Sequence, residues 1–187
     1  VIVPFAPGGG VDILARYVCR KLGERLGQRF YIENVAGGAG NIGTAQAARA
    51  APDGGTILVV FGSFVISPNL FAKPGFDPQK DFAPVTLAAK TPTVLVVNPS
   101  LPARSVKELI DHAKAHPGEL NYASAGIGSS GHLATVMFSE LAGLKLQHVP
   151  YASQPQAITD IISGRISLWI TTLGGQIGNI RAGKVRA

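Results

Sequence analysis

Three glycine-rich loops stand where an apolar, β-rich run hands over to a helical pattern, and they constrain this chain more than any other feature. They are Pro7-Gly8-Gly9-Gly10-Val11-Asp12, Gly38-Ala39-Gly40-Asn41-Ile42-Gly43 and Ala123-Ser124-Ala125-Gly126-Ile127-Gly128-Ser129-Ser130-Gly131-His132. After the first loop the period becomes helical. Val11, Leu14, Ala15, Val18, Leu22 and Leu26 recur at three- and four-residue steps, and Gly27 follows as a C-cap. Such alternation recurs almost to the end of the chain. It predicts an α/β fold with mainly parallel sheets and helices on both faces.

The spacing predicts strands at 1–5, 29–34, 56–61, 93–98, 121–124, 146–149 and 166–171. That at 93–98, with Val94-Leu95-Val96-Val97, reads as fully buried. Further helices are expected at 41–50, 131–141, 154–163 and 176–182. Ser105-Val106-Lys107-Glu108 is a capping box that starts another, running to about His116. Residues 63–90 read as mostly loop, with a helical turn near Pro68 and an extended piece at 82–87. The Pro-rich stretch Asn98-Pro99-Ser100-Leu101-Pro102 suits a crossing from a first lobe, 1–98, into a second, 99–187. Two lobes imply a ligand cleft at the carboxyl ends of parallel strands, closing about a hinge.

Composition excludes several classes. Charge is +6, but the basic residues are scattered and not interleaved with aromatics, which argues against a nucleic-acid partner. No apolar run approaches the roughly 20 residues of a membrane span. A single cysteine, Cys19, rules out an internal disulfide and reads as a small buried side chain. The chain opens inside an apolar run without Met and stops at 183–187 where a strand could begin. It reads as a processed or truncated piece of something longer.

Each loop has two readings. In the first, three glycines and an uncapped helix start make an anion site; the alternative is a tight turn with Asp12 stabilising the helix. The second spells G-x-G-x-x-G between strand and helix. No acidic residue follows the next strand, which ends Val60-Phe61-Gly62-Ser63, so close helix–sheet packing competes with nucleotide binding there. The third offers hydroxyls and amides, with His132 in the first helical turn and Ser129 or Ser130 as N-cap. Ligand contact and capping are compatible there. His112 and His116 lack an acidic neighbour and read as solvent-facing. Neither a nucleophile–base pair nor a metal set is visible, and no cofactor is called for. The residues are equipped to bind rather than to react.

Taken in order, Val3-Pro4-Phe5-Ala6-Pro7-Gly8-Gly9-Gly10-Val11-Asp12, Glu33-Asn34, Gly37 to Gly43, Ala51-Pro52-Asp53-Gly54, Asp81-Phe82-Ala83-Pro84-Val85, Leu120 to Gly126 and His148-Val149-Pro150-Tyr151 resemble the Bug-type solute receptors of tripartite tricarboxylate transporters. The resemblance covers essentially the whole chain. It implies two α/β lobes, a periplasmic address, a monomer, no enzymatic activity, and a small organic acid delivered to membrane permease subunits. The ligand is then a mono- or dicarboxylate, aromatic acids included.

The resemblance also implies a site. The carboxylate sits between Phe5, Ala6, Gly8, Gly9 and Gly10 of the first loop and Ser124, Ala125, Gly126, Gly128 and Ser129 of the third. Asp12 and His132 lie in the adjoining helical turns, and amides and bridging waters do the holding. Ser63 and Asn69 match polar positions after the third strand, and Ser153, Gln156 and Thr171 a wall of the second lobe. Ala152-Ser153 replaces the family's basic residue and glycine, and Thr171-Thr172 its acidic residue. The family's C-terminal return to the first lobe is not present in this sequence. Two other function classes compete with this one: a nucleotide-dependent oxidoreductase using Gly38 to Gly43, and an interaction protein without a small ligand.

Overall fold

The computed structural model describes residues 1–187. The chain forms two compact units, Val1–Lys90 and Thr91–Ala187.

In the first unit, β1 (Ile2–Val3) pairs in parallel with β2 (Glu33–Asn34), Ile2 opposite Glu33. On the other edge Ile2 bridges Leu58, again in parallel. Pro4 has no N–H to give, which ends β1 at two residues rather than five. The run 56–61 does not become a strand. Only Ile57 O and Val59 N find partners, both on Ile2, and extended backbone without a neighbour is not a ladder. For the same reason 82–87 forms no strand. Helix α1 (Gly10–Leu26) follows β1, and its Val11 and Ala15 pack with Val3, Phe5, Ile32, Val59 and Phe61 as the unit's core. Cys19, on the same helix, is buried as expected. Helix α2 (Asn41–Ala48) follows β2.

Residues 63–90 depart further from expectation. Ser63–Leu70 is a helix, α3, that carries Pro68 inside it and ends two residues later. Aromatic packing overrides the proline. Phe64 stacks on Phe76 at 5.6 Å and meets Phe82 edge-on at 5.1 Å.

The second unit alternates β3 (Thr93–Val97), α4 (Val106–Ala115), β4 (Asn121–Ser124), α5 (Ser130–Ala142), β5 (Gln147–Pro150), α6 (Gln154–Ile162), β6 (Leu168–Thr172) and α7 (Ile177–Arg181). Its sheet runs β3-β6-β4-β5. β4 is parallel to both neighbours, while β3 is antiparallel to β6. Alternation along the strands gives each face its own core. Val96, Ala123 and Trp169 pack with Ala157 and Ile161 of α6. Val97, Tyr122 and Leu168 pack with Leu109 of α4 and Phe138 of α5. β3 is not fully buried, because its outer edge meets only the Val97–Arg186 bridge.

The capping box on α4 forms, with a difference. Ser105 Oγ accepts from Glu108 N, but Glu108 reaches back to the Arg104 N–H, one residue further than the usual box. The stretch 98–102 is no linker. Asn98 Nδ2 donates to Ile161 O at 2.6 Å, and Arg186 donates to the carbonyls of Pro99, Leu101 and Ala103. Both interactions tie it into the second unit, so the division between the compact units falls earlier, after Lys90.

Candidate functional site

Within the first unit the loop after β1 is held from the inside. The Asp12 carboxylate is 2% exposed. Its Oδ2 accepts from Gly8 N and from Arg16 Nε, both at 2.9 Å, and its Oδ1 from Asn34 Nδ2 at 2.9 Å. Asn34 Nδ2 also donates to Phe5 O at 3.0 Å. Burial alone raises the Asp12 pKa, but the bonds from Arg16, Gly8 and Asn34 outweigh it and hold the carboxyl below its usual value. Asp12 therefore faces inward as a clasp rather than outward as a ligand group. Phe5, Ala6, Gly8, Gly9 and Gly10 are brought together as one loop running into α1. Gly9 is its N-cap and no side chain caps the helix. Of the two residues that complete the clasp, Asn34 is marked in the sequence only as part of the Glu33-Asn34 motif, and Arg16 carries no signal that separates it from surface polar residues.

Ser63 is buried at the start of α3 and its Oγ has no hydrogen-bond partner; Ser67, one turn on, is in the same state. Asn69 is not brought beside Ser63. It is exposed near the far end of α3, bonded at 3.5 Å to Val65 O.

The G-x-G-x-x-G glycines serve packing. A Cβ on Gly43 would lie 2.7 Å from Val35 O and 2.9 Å from Pro4 Cα. Glycine is needed there for α2 to approach the backbone around β1 and β2.

In the second unit Ser124, Tyr151–Ser153 and Thr171 lie at the carboxyl ends of β4, β5 and β6, which are mutually parallel. That is the edge where such sheets bind ligands. Ser129 is the N-cap of α5: its Oγ accepts from His132 N and its carbonyl from Leu133 N. This leaves the Ser130 and Gly131 N–H groups without a hydrogen-bond partner at the positive end of the helix. Ser124 differs from expectation. Its side chain is sealed, with Oγ accepting from Gly126 N at 3.1 Å, touching Gly126 O at 3.2 Å, and lying 2.6 Å from His148 Nε2. What Ser124 gives the loop is its shape. Ala125 and Gly126 are half-buried, Gly128 buried.

His132 and His148 pack against each other with tilted rings. Their rings lie 4.3 Å apart, and His148 lies on Tyr122 at 4.9 Å. Burial lowers both imidazole pKa values, and His132 lowers that of His148 further. His148 thus lies beside the loop after β4, although nothing in its residue type marks it for that place. Of the wall residues, Ser153 is the N-cap of α6 without a side-chain bond, Gln156 is exposed, and Thr171 is buried. Behind them Tyr151 Oη donates to Asp160 at 2.7 Å; burial first, then Asp160, pushes that phenol to about 12.

His112 and His116 are half-buried rather than solvent-facing, with rings 4.4 Å apart. No group of three or more His, Cys, Asp or Glu is arranged to hold a metal ion, and no helix is long and apolar enough to cross a membrane.

An α/β chain of two units, with a glycine-capped helix start in one and unpartnered helix amides in the other, has the fold class of solute-binding proteins. Residues 14–187 match the family described as the tripartite tricarboxylate transporter family receptor, and the chain belongs to it. This is a family of receptors, not of enzymes, and its members are periplasmic binding proteins. The chain is 40% identical over 186 residues to the UPF0065 protein in the tcbD-tcbE intergenic region of Pseudomonas sp. (strain P51), and 36% identical over 189 residues to BugT of Bordetella pertussis. All of the chain is matched in both, but it spans only 55% and 58% of their lengths. Among solved structures, it is similar to the periplasmic binding protein BugD, with a TM-score of 0.95 at 34% identity, covering 100% of this chain and 62% of that one. Rpa4515 of R. palustris with adipate gives 0.95 at 36%, covering 99% and 62%. MatC of Rhodopseudomonas palustris with bound malate gives 0.90 at 30%, covering 100% and 64%.

Proposed function

We propose that the protein is a periplasmic receptor that binds a small mono- or dicarboxylate and hands it, as a monomer, to the membrane permease subunits of a tripartite tricarboxylate-type transporter. The observation that carries this reading is the pair of unpartnered amides, Ser130 and Gly131, at the carboxyl edge of the parallel strands β4, β5 and β6. Helix-end donors bind a carboxylate at low desolvation cost. In the first unit, by itself, the start of α1 is likewise capped by a glycine, Gly9, in a loop shaped by the Asp12 clasp. The adipate and malate bound by two relatives support the ligand class.

A carboxylate contact is common to all organic acids, so choice comes from Ser153, Gln156 and Thr171. These are neutral, and Ala152 beside Ser153 adds no charge. A neutral wall gains little from a third carboxylate. Calorimetry with adipate, malate, citrate and NADH tests both points. Adipate or malate is expected to bind, to outcompete citrate, and at 100 times its Kd to stabilise the fold by about 2.7 kcal/mol. Binding of NADH without any carboxylate overturns the receptor reading, and citrate as the best ligand overturns the neutral wall.

A further inference from the structure

We propose that His148 is a positioning residue for the loop between β4 and α5, holding it in the shape that presents the Ser130 and Gly131 amides. The inference rests on the receptor reading above and deepens it.

The register makes the arrangement possible. Tyr122 and Ser124 share one face of β4, and His148 on β5 stands directly opposite Tyr122. His148 therefore lies flat on the Tyr122 ring and points Nε2 at Ser124 Oγ, 2.6 Å away. Its ring also packs, tilted by 42°, against His132, whose Nδ1 accepts the Gly128 N–H at 3.3 Å. One imidazole pair thus grips both ends of the loop: Ser124 and, through it, Gly126 at the start, and Gly128 at the finish. Accepting from Gly128 requires His132 to be neutral with its proton on Nε2. No carboxylate or cation forms an ion pair with either ring. The hydrogen bond, not a charge, is therefore what His148 supplies. A hydrogen-bonded network that is complete fixes one geometry, and losing a member releases it.

The test separates the bond from the stack. Phenylalanine keeps the ring on Tyr122 and loses Nε2, whereas glutamine returns a polar atom near the Nε2 position. Adipate is titrated calorimetrically into wild type, His148→Phe, His148→Gln, Ser124→Ala and the His148→Phe/Ser124→Ala double variant, with melting curves for each. His148→Phe is expected to weaken adipate about tenfold, the scale of one lost hydrogen bond at its upper end. His148→Gln recovers most of that loss, and the double variant binds no worse than the weaker single one. Wild-type affinity in His148→Phe, no rescue by glutamine, or additive losses in the double variant overturns the proposal. Ser124→Ala probes the same bond from its other side, so it decides the question if His148→Phe does not fold. Amide exchange reads the loop without ligand. Faster exchange at Gly126 and Gly128 in the variants supports the role, and unchanged exchange overturns it even where wild type binds no adipate, an outcome that by itself defeats only the receptor reading.

Discussion

Gly131→Ala is expected to destabilise the second unit by about 2–3 kcal/mol, the upper part of the usual range for overpacking. A Cβ at this position would lie 2.4 Å from Ile170 O. That oxygen belongs to the backbone of β6, a central strand flanked by β3 and β4. It has no rotamer to escape into, so α5 must lift from the sheet. For a chain of this size the melting temperature should fall by roughly 5–10 °C. Carboxylate binding should fall with it, because lifting α5 displaces the Ser130 and Gly131 amides. Gly178→Ala in α7 is the control: its Cβ would meet nothing within 4 Å, so it is expected to be neutral or to gain up to about 1 kcal/mol. Equal melting curves for the two variants contradict the close approach of α5 to β6.

Asp12→Ala is expected to cost about 3 kcal/mol of stability and to disorder the first loop. The substitution removes three charge-assisted hydrogen bonds and leaves the Gly8 N–H without its acceptor. The Arg16 pair adds little by itself, since that side chain is 54% exposed and screened. The part-buried bonds to Gly8 and Asn34 carry the rest. Asp12→Asn should lie between, because an amide has one acceptor oxygen where the carboxylate uses two. The pH dependence has a definite sign. Asp12 titrates below its ordinary value in the fold, so its contribution is present above about pH 4 and lost as pH falls through the lowered value. Urea unfolding of wild type and variant should therefore converge in acid. A constant gap from pH 7 to pH 3 would show that Asp12 acts through packing and not through its charge.

How much of this was legible in the sequence depends on how local each cause is. Helix α1 and its Gly27 end, the Ser105 cap of α4, and β4 at Asn121–Ser124 were readable because their signals lie within a few residues. The run 56–61 was misread because a strand needs a neighbour, and Ile2 offers one for only two of its backbone groups. Of helix α3 no more than a turn near Pro68 was legible, because Phe64 finds Phe76 and Phe82 at distances no window shows. The site divides in the same way. Glycines at helix starts announce the loops, and the packing role of Gly43 was among the readings left open. That Asp12 turns inward depends on Asn34, 22 residues away. That His148 lies beside the loop after β4 depends on the β4–β5 register, which sets it opposite Tyr122. The boundary at 98 was displaced because Arg186, near the end of the chain, clasps the Pro-rich stretch.

The central claim is that a carboxylate binds at the helix-start amides. It is tested most directly by following every backbone amide by NMR while adipate is added to the ¹⁵N-labelled protein. The largest shifts are expected at Ser130 and Gly131, saturating with added adipate. Shifts concentrated at Gly38 to Gly43, or saturable binding that leaves the Ser130 and Gly131 amides unmoved, would contradict it.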